Sequence, residues 1–323
     1  MLIRRLITLG AGAVAGAYLV GRWRRNQAKP PRPLRDHRGR TLEPLLVELE
    51  GGDCVPVIVA GEGPAVVLIP GLTGDSGIFR YQIPALSSDY RVIAPNLRVD
   101  FTGVEKSFDQ FARDLARVLD AVGADSACLL GLSFGGPIAM RFATLYPKRA
   151  WGLVLTNTLA RVDLSHVGLN RTLLIPVARW TSRFLPEPLM RELAQYWGRL
   201  GVWVYDPSAG NERIIDYELE VPVRVPMSVG GARMDTFKDC DLRGELRGLQ
   251  QPALVIAGCS DTYTPWEWQH EIAGLLANST YVEIPYGGHL LLISHAESFN
   301  ELVMEWLARV RRATPVALPD NSS

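Results

Sequence analysis

Cysteine is scarce in this chain: four residues in 323, at positions 54, 128, 240 and 259, with no pair at CxxC spacing. That pattern gives neither a disulfide framework nor a thiolate cluster for a structural metal. Cys128 lies in an apolar run and is expected to be a buried thiol. Histidine is also sparse, with five residues at 37, 166, 270, 289 and 295, so any imidazole chemistry falls to one of a handful of positions. No internal repeat and no long low-complexity run is present. No apolar run reaches the roughly 20 residues of a spanning helix; the best, Leu6–Val20, has fifteen. Acid is nearly absent from the first forty residues, which hold ten Arg or Lys against one Asp. With a formal net charge of zero overall, that +9 leaves −9 on residues 41–323. A mildly acidic body argues against nucleic acid as a partner.

Residues 1–25 read as an N-terminal membrane anchor or a signal-like segment. Snorkelling Arg4, Arg5 and Arg22 and an interfacial Trp23 could extend the short apolar run to a membrane-spanning length. Gly12 and Gly16 offer a small-xxx-small packing face. Arg4-Arg5 before a Gly/Ala-rich run also resembles a twin-arginine export leader. The greater number of basic residues after the apolar run favours an anchor with a cytoplasmic catalytic domain; export is the alternative. Residues 26–40, with Pro30, Pro31 and Pro33 among Arg and Lys, read as an extended basic linker. Residues 314–323 read as a flexible tail.

From Leu45 the pattern changes. Leu45–Leu49 and Val55–Val59, separated by Gly51-Gly52-Asp53, predict an antiparallel hairpin. Val66–Ile69, Arg91–Ala94, Ala127–Leu130, Trp151–Leu155, Ala253–Ala257 and Thr280–Ile284 are short apolar runs of the buried-strand kind. Helical stretches lie between them. The clearest carries Phe108, Phe111, Leu115, Val118, Leu119 and Val122 at helical spacing. Ser107 with Gln110 makes a capping box, and Gly123 sits where a C-terminal cap belongs. Strands alternating with helices imply an α/β protein, a mostly parallel sheet with helices on both faces. Residues 159–235, rich in Trp, Tyr, Arg and Leu and broken by prolines, predict a helical cap inserted over the sheet's C-terminal edge.

Gly131-Leu132-Ser133-Phe134-Gly135-Gly136 falls between an apolar strand and a helix-compatible run. A serine with glycine at minus two and plus two in that setting reads as a nucleophile elbow. A side chain on either flanking position would collide with neighbouring backbone. A nucleophilic serine needs a base, and the base needs an orienting acid. His289, in Pro285-Tyr286-Gly287-Gly288-His289, follows the last predicted strand in a glycine-bearing loop and is the base expected. His295 opens the final helix and reads as structural. Asp261 is the carboxylate of the loop after Ala253–Ala257. An acid after Trp151–Leu155 is disfavoured, because Thr156-Asn157-Thr158 carries none; Asp163 is the fallback. Two amides for an oxyanion are expected from Phe134, just after the serine, and from Leu72 in Pro70-Gly71-Leu72-Thr73-Gly74-Asp75-Ser76.

In those motifs the chain resembles the α/β-hydrolase superfamily, in its capped, single-domain branch, over about residues 41–311. The resemblance implies an α/β-hydrolase fold with a mostly parallel eight-stranded sheet over residues 41–313. It also implies a hydrolase cleaving an ester, thioester or similar acyl substrate through an acyl-enzyme on Ser133, with no metal or organic cofactor. The chain departs from the family at Pro70-Gly71, where His-Gly is usual. It departs again at Asn96-Leu97-Arg98-Val99-Asp100, where Asp-x-Arg-Gly is common. A serine at the elbow, not aspartate, argues against dehalogenase and epoxide hydrolase chemistry. The expected partners are a small acyl substrate, lipid-like if the aromatic cap and N-terminal segment act together, and the membrane. Carbon–carbon bond hydrolysis, lactone opening, perhydrolysis and acyl transfer remain alternatives on the same triad, as does a non-catalytic tethered binding module.

Overall fold

The structure, a computed structural model, describes residues 32–161, 213–214, 217, 227–237 and 240–313. Eight strands form one sheet in the order β1-β2-β4-β3-β5-β6-β7-β8. They are β1 (Leu45–Glu48), β2 (Cys54–Ala60), β3 (Ala65–Ile69), β4 (Arg91–Pro95), β5 (Ala127–Leu132), β6 (Ala150–Thr156), β7 (Ala253–Gly258) and β8 (Ser279–Ile284). β1 and β2 pair antiparallel with Leu45 opposite Val57, and β2 runs antiparallel to β4. From β4 to β8 every neighbouring pair is parallel. Each of the eight strand-like runs from Leu45 onward is a strand here, with its ends moved by a residue or two.

The central strands read as unbroken apolar runs because both of their faces are covered. Alternate residues of β3, β5 and β7 feed two cores. Val67, Leu129 and Val255 point into one, and Val66, Cys128, Leu130 and Leu254 into the other. β8 differs from the buried strand expected: its residues are half-exposed. It is the last strand in the order and pairs only with β7, so Ser279, Thr280 and Glu283 tolerate water.

The first core is closed by α1 (Phe108–Ala121) and α2 (Gly135–Leu145). Ser107 Oγ accepts from the Gln110 amide at 3.2 Å and starts α1. Gly123, at φ +66°, stops it. There the Gly123 amide donates to Asp120 and the Ala124 amide to Leu119, the paired bonds of a glycine-terminated helix. The expected apolar stripe is core: Phe108, Phe111, Leu115, Val118 and Leu119 are all buried. The second core is closed by the Gln82–Leu86 turn of helix and by the C-terminal helix Ala296–Ala313. All four cysteines are free thiols, and Cys128 is buried.

The membrane-anchored location expected from the sequence is corrected. Among the described residues no helix is long and apolar enough to cross a membrane. The longest, Ala296–Ala313, alternates buried Phe299, Val303, Trp306 and Leu307 with glutamate and arginine. The segment 1–25, on which the anchor rested, lies outside the described residues, as do 26–31 and the tail 314–323. Residues 32–40, expected to be extended, fold back in a turn. Arg35 bridges Thr41, and Asp36, 2% exposed, accepts the amides of Arg38 and Arg40, each at 2.9 Å. Of the expected cap, only 159–161, 213–214, 217 and 227–235 are described. They include α3 (Met227–Met234), which leads back to the sheet.

Candidate active site

The C-terminal ends of the parallel strands carry the site. Ser133 leaves β5 at φ +52°, a left-handed conformation that costs a side-chain-bearing residue about 1–3 kcal/mol. The turn is held from neighbouring strands: the Ser133 amide donates to the Thr156 carbonyl at 3.1 Å. The Thr158 hydroxyl donates to the Ser133 carbonyl at 2.6 Å. The glycine requirement at the flanks is direct. A Cβ on Gly131 would lie 2.5 Å from the Gly135 carbonyl oxygen, and one on Gly135 would fall on the Ile69 carbonyl. Gly136 has the same constraint against the Thr158 side chain, which follows from the tertiary fold alone.

Ser133 Oγ lies 3.0 Å from His289 Nε2, and His289 Nδ1 lies 2.8 Å from Asp261 Oδ2. With the Nδ1 proton directed at the carboxylate, Nε2 carries a free lone pair toward the serine. Asp261 is 6% exposed and fully occupied. Its Oδ1 accepts the Tyr263 amide at 2.7 Å and the Thr264 amide at 3.1 Å, and its Oδ2 also accepts the Thr264 hydroxyl at 2.6 Å. The acid loop is bound to the histidine loop through its backbone, the Ser260 amide donating to Gly287 at 2.8 Å. Gly258 is needed there, since a Cβ would lie 2.5 Å from the Gly287 carbonyl oxygen. The Tyr263 ring sits against the imidazole at 5.0 Å between centroids.

The amides of Leu72 and Phe134 have no acceptor among the described residues. Gly71 lies beside the serine: a Cβ there would be 3.5 Å from Ser133 Cβ. Phe134 is 1% exposed, and its ring is wedged at 5.2 Å from each of Phe108, Phe111 and Phe237, which fixes the amide that follows the serine. The loop after β3 is tied down by Asp75, which caps the Ser76–Phe79 turn, and by Asn96, whose Oδ1 accepts the Ser76 amide at 2.9 Å. Asn96 thus has a structural partner at the position where the sequence departs from the resemblance. Arg98, two residues further on in the loop after β4, is buried and paired with Asp114 at 2.6 and 2.8 Å.

The remaining histidines lie elsewhere. His295 Nδ1 meets the Ser294 hydroxyl at 2.8 Å, and the His295 carbonyl accepts the Phe299 amide, which makes it the residue that opens the last helix. His37 contacts Ser87, and His270 packs against Trp266 and Tyr281. His166 and the fallback Asp163 lie outside the described residues. Among the described residues no group of three His, Cys, Asp or Glu is arranged to hold a metal ion.

Two buried polar side chains at the site were not anticipated. Asn157 follows β6 at φ +43°. Arg233 of α3 donates to the carbonyls of Leu72, Leu97 and Arg98 at 2.8, 2.9 and 2.8 Å. The sequence signal for Asn157 was present, an Asn able to take a left-handed φ at the end of an apolar run. Arg233 had none.

A family described as the alpha/beta hydrolase fold matches residues 64–296, well over half of the chain. The polyketide synthase ThaQ of Burkholderia thailandensis is 31% identical over 293 residues, 85% of this chain but 13% of that protein. This chain therefore spans only a small part of that relative. The 2-hydroxy-6-oxo-6-phenylhexa-2,4-dienoate hydrolase of Burkholderia cepacia is 27% identical over 270 residues, covering 77% of this chain and 89% of that protein. A solved thermophilic esterase from Thermogutta terrifontis is similar with a TM-score of 0.69 at 26% identity, over 83% of this chain and 99% of that one. The chain belongs to the α/β-hydrolase fold family and is a hydrolase of that family.

Proposed function

We propose that the chain is a serine hydrolase that cleaves an ester, thioester or similar acyl substrate through an acyl-enzyme on Ser133. The observation that carries this is the continuous chain of contacts Ser133 Oγ to His289 Nε2 at 3.0 Å and His289 Nδ1 to Asp261 Oδ2 at 2.8 Å. His289 takes the Ser133 proton as Oγ attacks the acyl carbonyl. Asp261 stabilises the imidazolium so formed. The negative oxygen of the tetrahedral intermediate accepts hydrogen bonds from the amides of Leu72 and Phe134, which lack other acceptors among the described residues. His289 then protonates the leaving group, and water, activated by the same imidazole, releases the acyl group. The resemblance to an esterase supports acyl chemistry as a class. A lipid-like acyl chain was expected from the N-terminal segment and the cap aromatics. The anchor is corrected above and those aromatics lie largely outside the described residues, so the substrate is assigned only as a small acyl compound.

The test is labelling of the full chain with a fluorophosphonate probe, wild type against Ser133→Ala. Label on the wild type that disappears in the variant is the expected result. Equal labelling of both, or none on a folded wild type, would overturn the assignment.

A further inference from the structure

We infer that Asn157 is a positioning residue for the hydrolytic reaction, a fixed junction from which the histidine and acid loops are both hung; this rests on the serine hydrolase reading above. Asn157 is 0% exposed, and its carboxamide is fully directed at main chain. Nδ2 donates to the Gly288 carbonyl at 2.7 Å and to the His289 carbonyl at 3.0 Å. Oδ1 accepts the amide of Gly258, where β7 turns into the acid loop, at 2.8 Å. Two donors and one acceptor define the amide's orientation, since exchanging O and N would lose all three bonds. Its own amide donates to Ile256 at 3.2 Å, so the residue is itself held by β7.

The neighbours of Asn157 complete the arrangement. Thr156 accepts the Ser133 amide, and Thr158 donates to the Ser133 carbonyl at 2.6 Å. Three consecutive residues at the end of β6, Thr156, Asn157 and Thr158, therefore bond the backbone of the nucleophile, the start of the acid loop and the backbone of the histidine itself. Asn157 adopts φ +43°, and a left-handed backbone is retained in a non-glycine residue where the surroundings over-determine it. An apolar residue could fill the same volume but would make none of these three bonds. The bond to the His289 carbonyl fixes the Cα from which the imidazole reaches Ser133. A shift of about 1 Å at a reacting group costs on the order of 100-fold in rate.

The test compares wild type, Asn157→Gly and Asn157→Asp, each full length. Glycine keeps the left-handed backbone and removes all three bonds; aspartate keeps the shape and the acceptor but loses both donors to the histidine loop. The readouts are the rate of fluorophosphonate labelling, kcat and KM on p-nitrophenyl acetate, and a thermal melt. A positioning role predicts a cooperative melt with labelling rate and kcat both reduced about 100-fold and KM changed little. Wild-type labelling rates in either folded variant would overturn the inference while leaving the serine assignment intact. A folded wild type that takes no label would sink the serine assignment instead. If glycine prevents folding, aspartate decides; if neither variant folds, the residue is structural and the inference fails.

Discussion

Ser133, Asn157 and Tyr286 are the non-glycine residues that the described chain holds at positive φ. Each lies just beyond the C-terminal end of a strand, after β5, β6 and β8 in turn. Strain of about 1–3 kcal/mol per residue is retained only where neighbours enforce it, and for Ser133 and Asn157 the enforcing contacts converge on one site. The flanking glycines show how little room that leaves. Gly135→Ala would drive a methyl group onto the Ile69 carbonyl, which belongs to β3 and cannot move without disturbing the sheet. The expected outcome is a loss of about 1–3 kcal/mol in stability, read by urea unfolding, together with slower fluorophosphonate labelling. Unchanged stability would mean that the elbow is looser than its contacts indicate.

At the scale of elements, α1 and α2 are joined to the Arg243–Leu246 turn of helix by Arg141. Its guanidinium donates to both carboxylate oxygens of Asp109 and to Glu245 Oε2 at 2.7 Å. The hydrogen bond from Arg141 holds the Asp109 carboxyl below its ordinary value of 3.8. A depressed carboxylate stabilises the fold above that ordinary value, and the contribution is lost as pH falls through the depressed one. Thermal midpoints of the wild type should therefore fall below about pH 4 more steeply than those of Asp109→Asn, which should start lower at neutral pH. Parallel curves for the two proteins would exclude the pair as a contributor. The elements themselves were legible. The central apolar runs became strands because buried parallel strands need apolar residues on both faces, and the loops that follow β5, β7 and β8 carry Ser133, Asp261 and His289 in chain order. Asn157 was legible only as a residue able to take a left-handed backbone, and Arg233 not at all, because the role of a buried carboxamide or guanidinium is explained by its acceptors. Those acceptors are main-chain carbonyls of loops far away in sequence, which no spacing rule reports.

For the whole molecule, Arg233 joins α3 to the loops beyond β3 and β4. It is 0% exposed, lies against Gly74 where a Cβ would strike the guanidinium, and binds loops after both β3 and β4. Burial pushes its guanidinium down to about 10. Arg233→Met would fill part of the space and leave three carbonyls without their donor. A cost of about 3 kcal/mol is expected, measured as a lowered urea midpoint. Because one of those carbonyls belongs to Leu72, hydrolysis of p-nitrophenyl acetate should fall at denaturant concentrations where the protein is still folded. Retention of both stability and activity would make this contact incidental. The order of the strands also has a consequence for synthesis. The ribosome completes the elbow on β5 well before it reaches β7 and β8, the strands that carry the acid and the base. A nascent or truncated chain that stops short of the histidine loop holds its serine without a proton acceptor. On the proposed mechanism, the serine therefore gains its base only when the last strand is laid down.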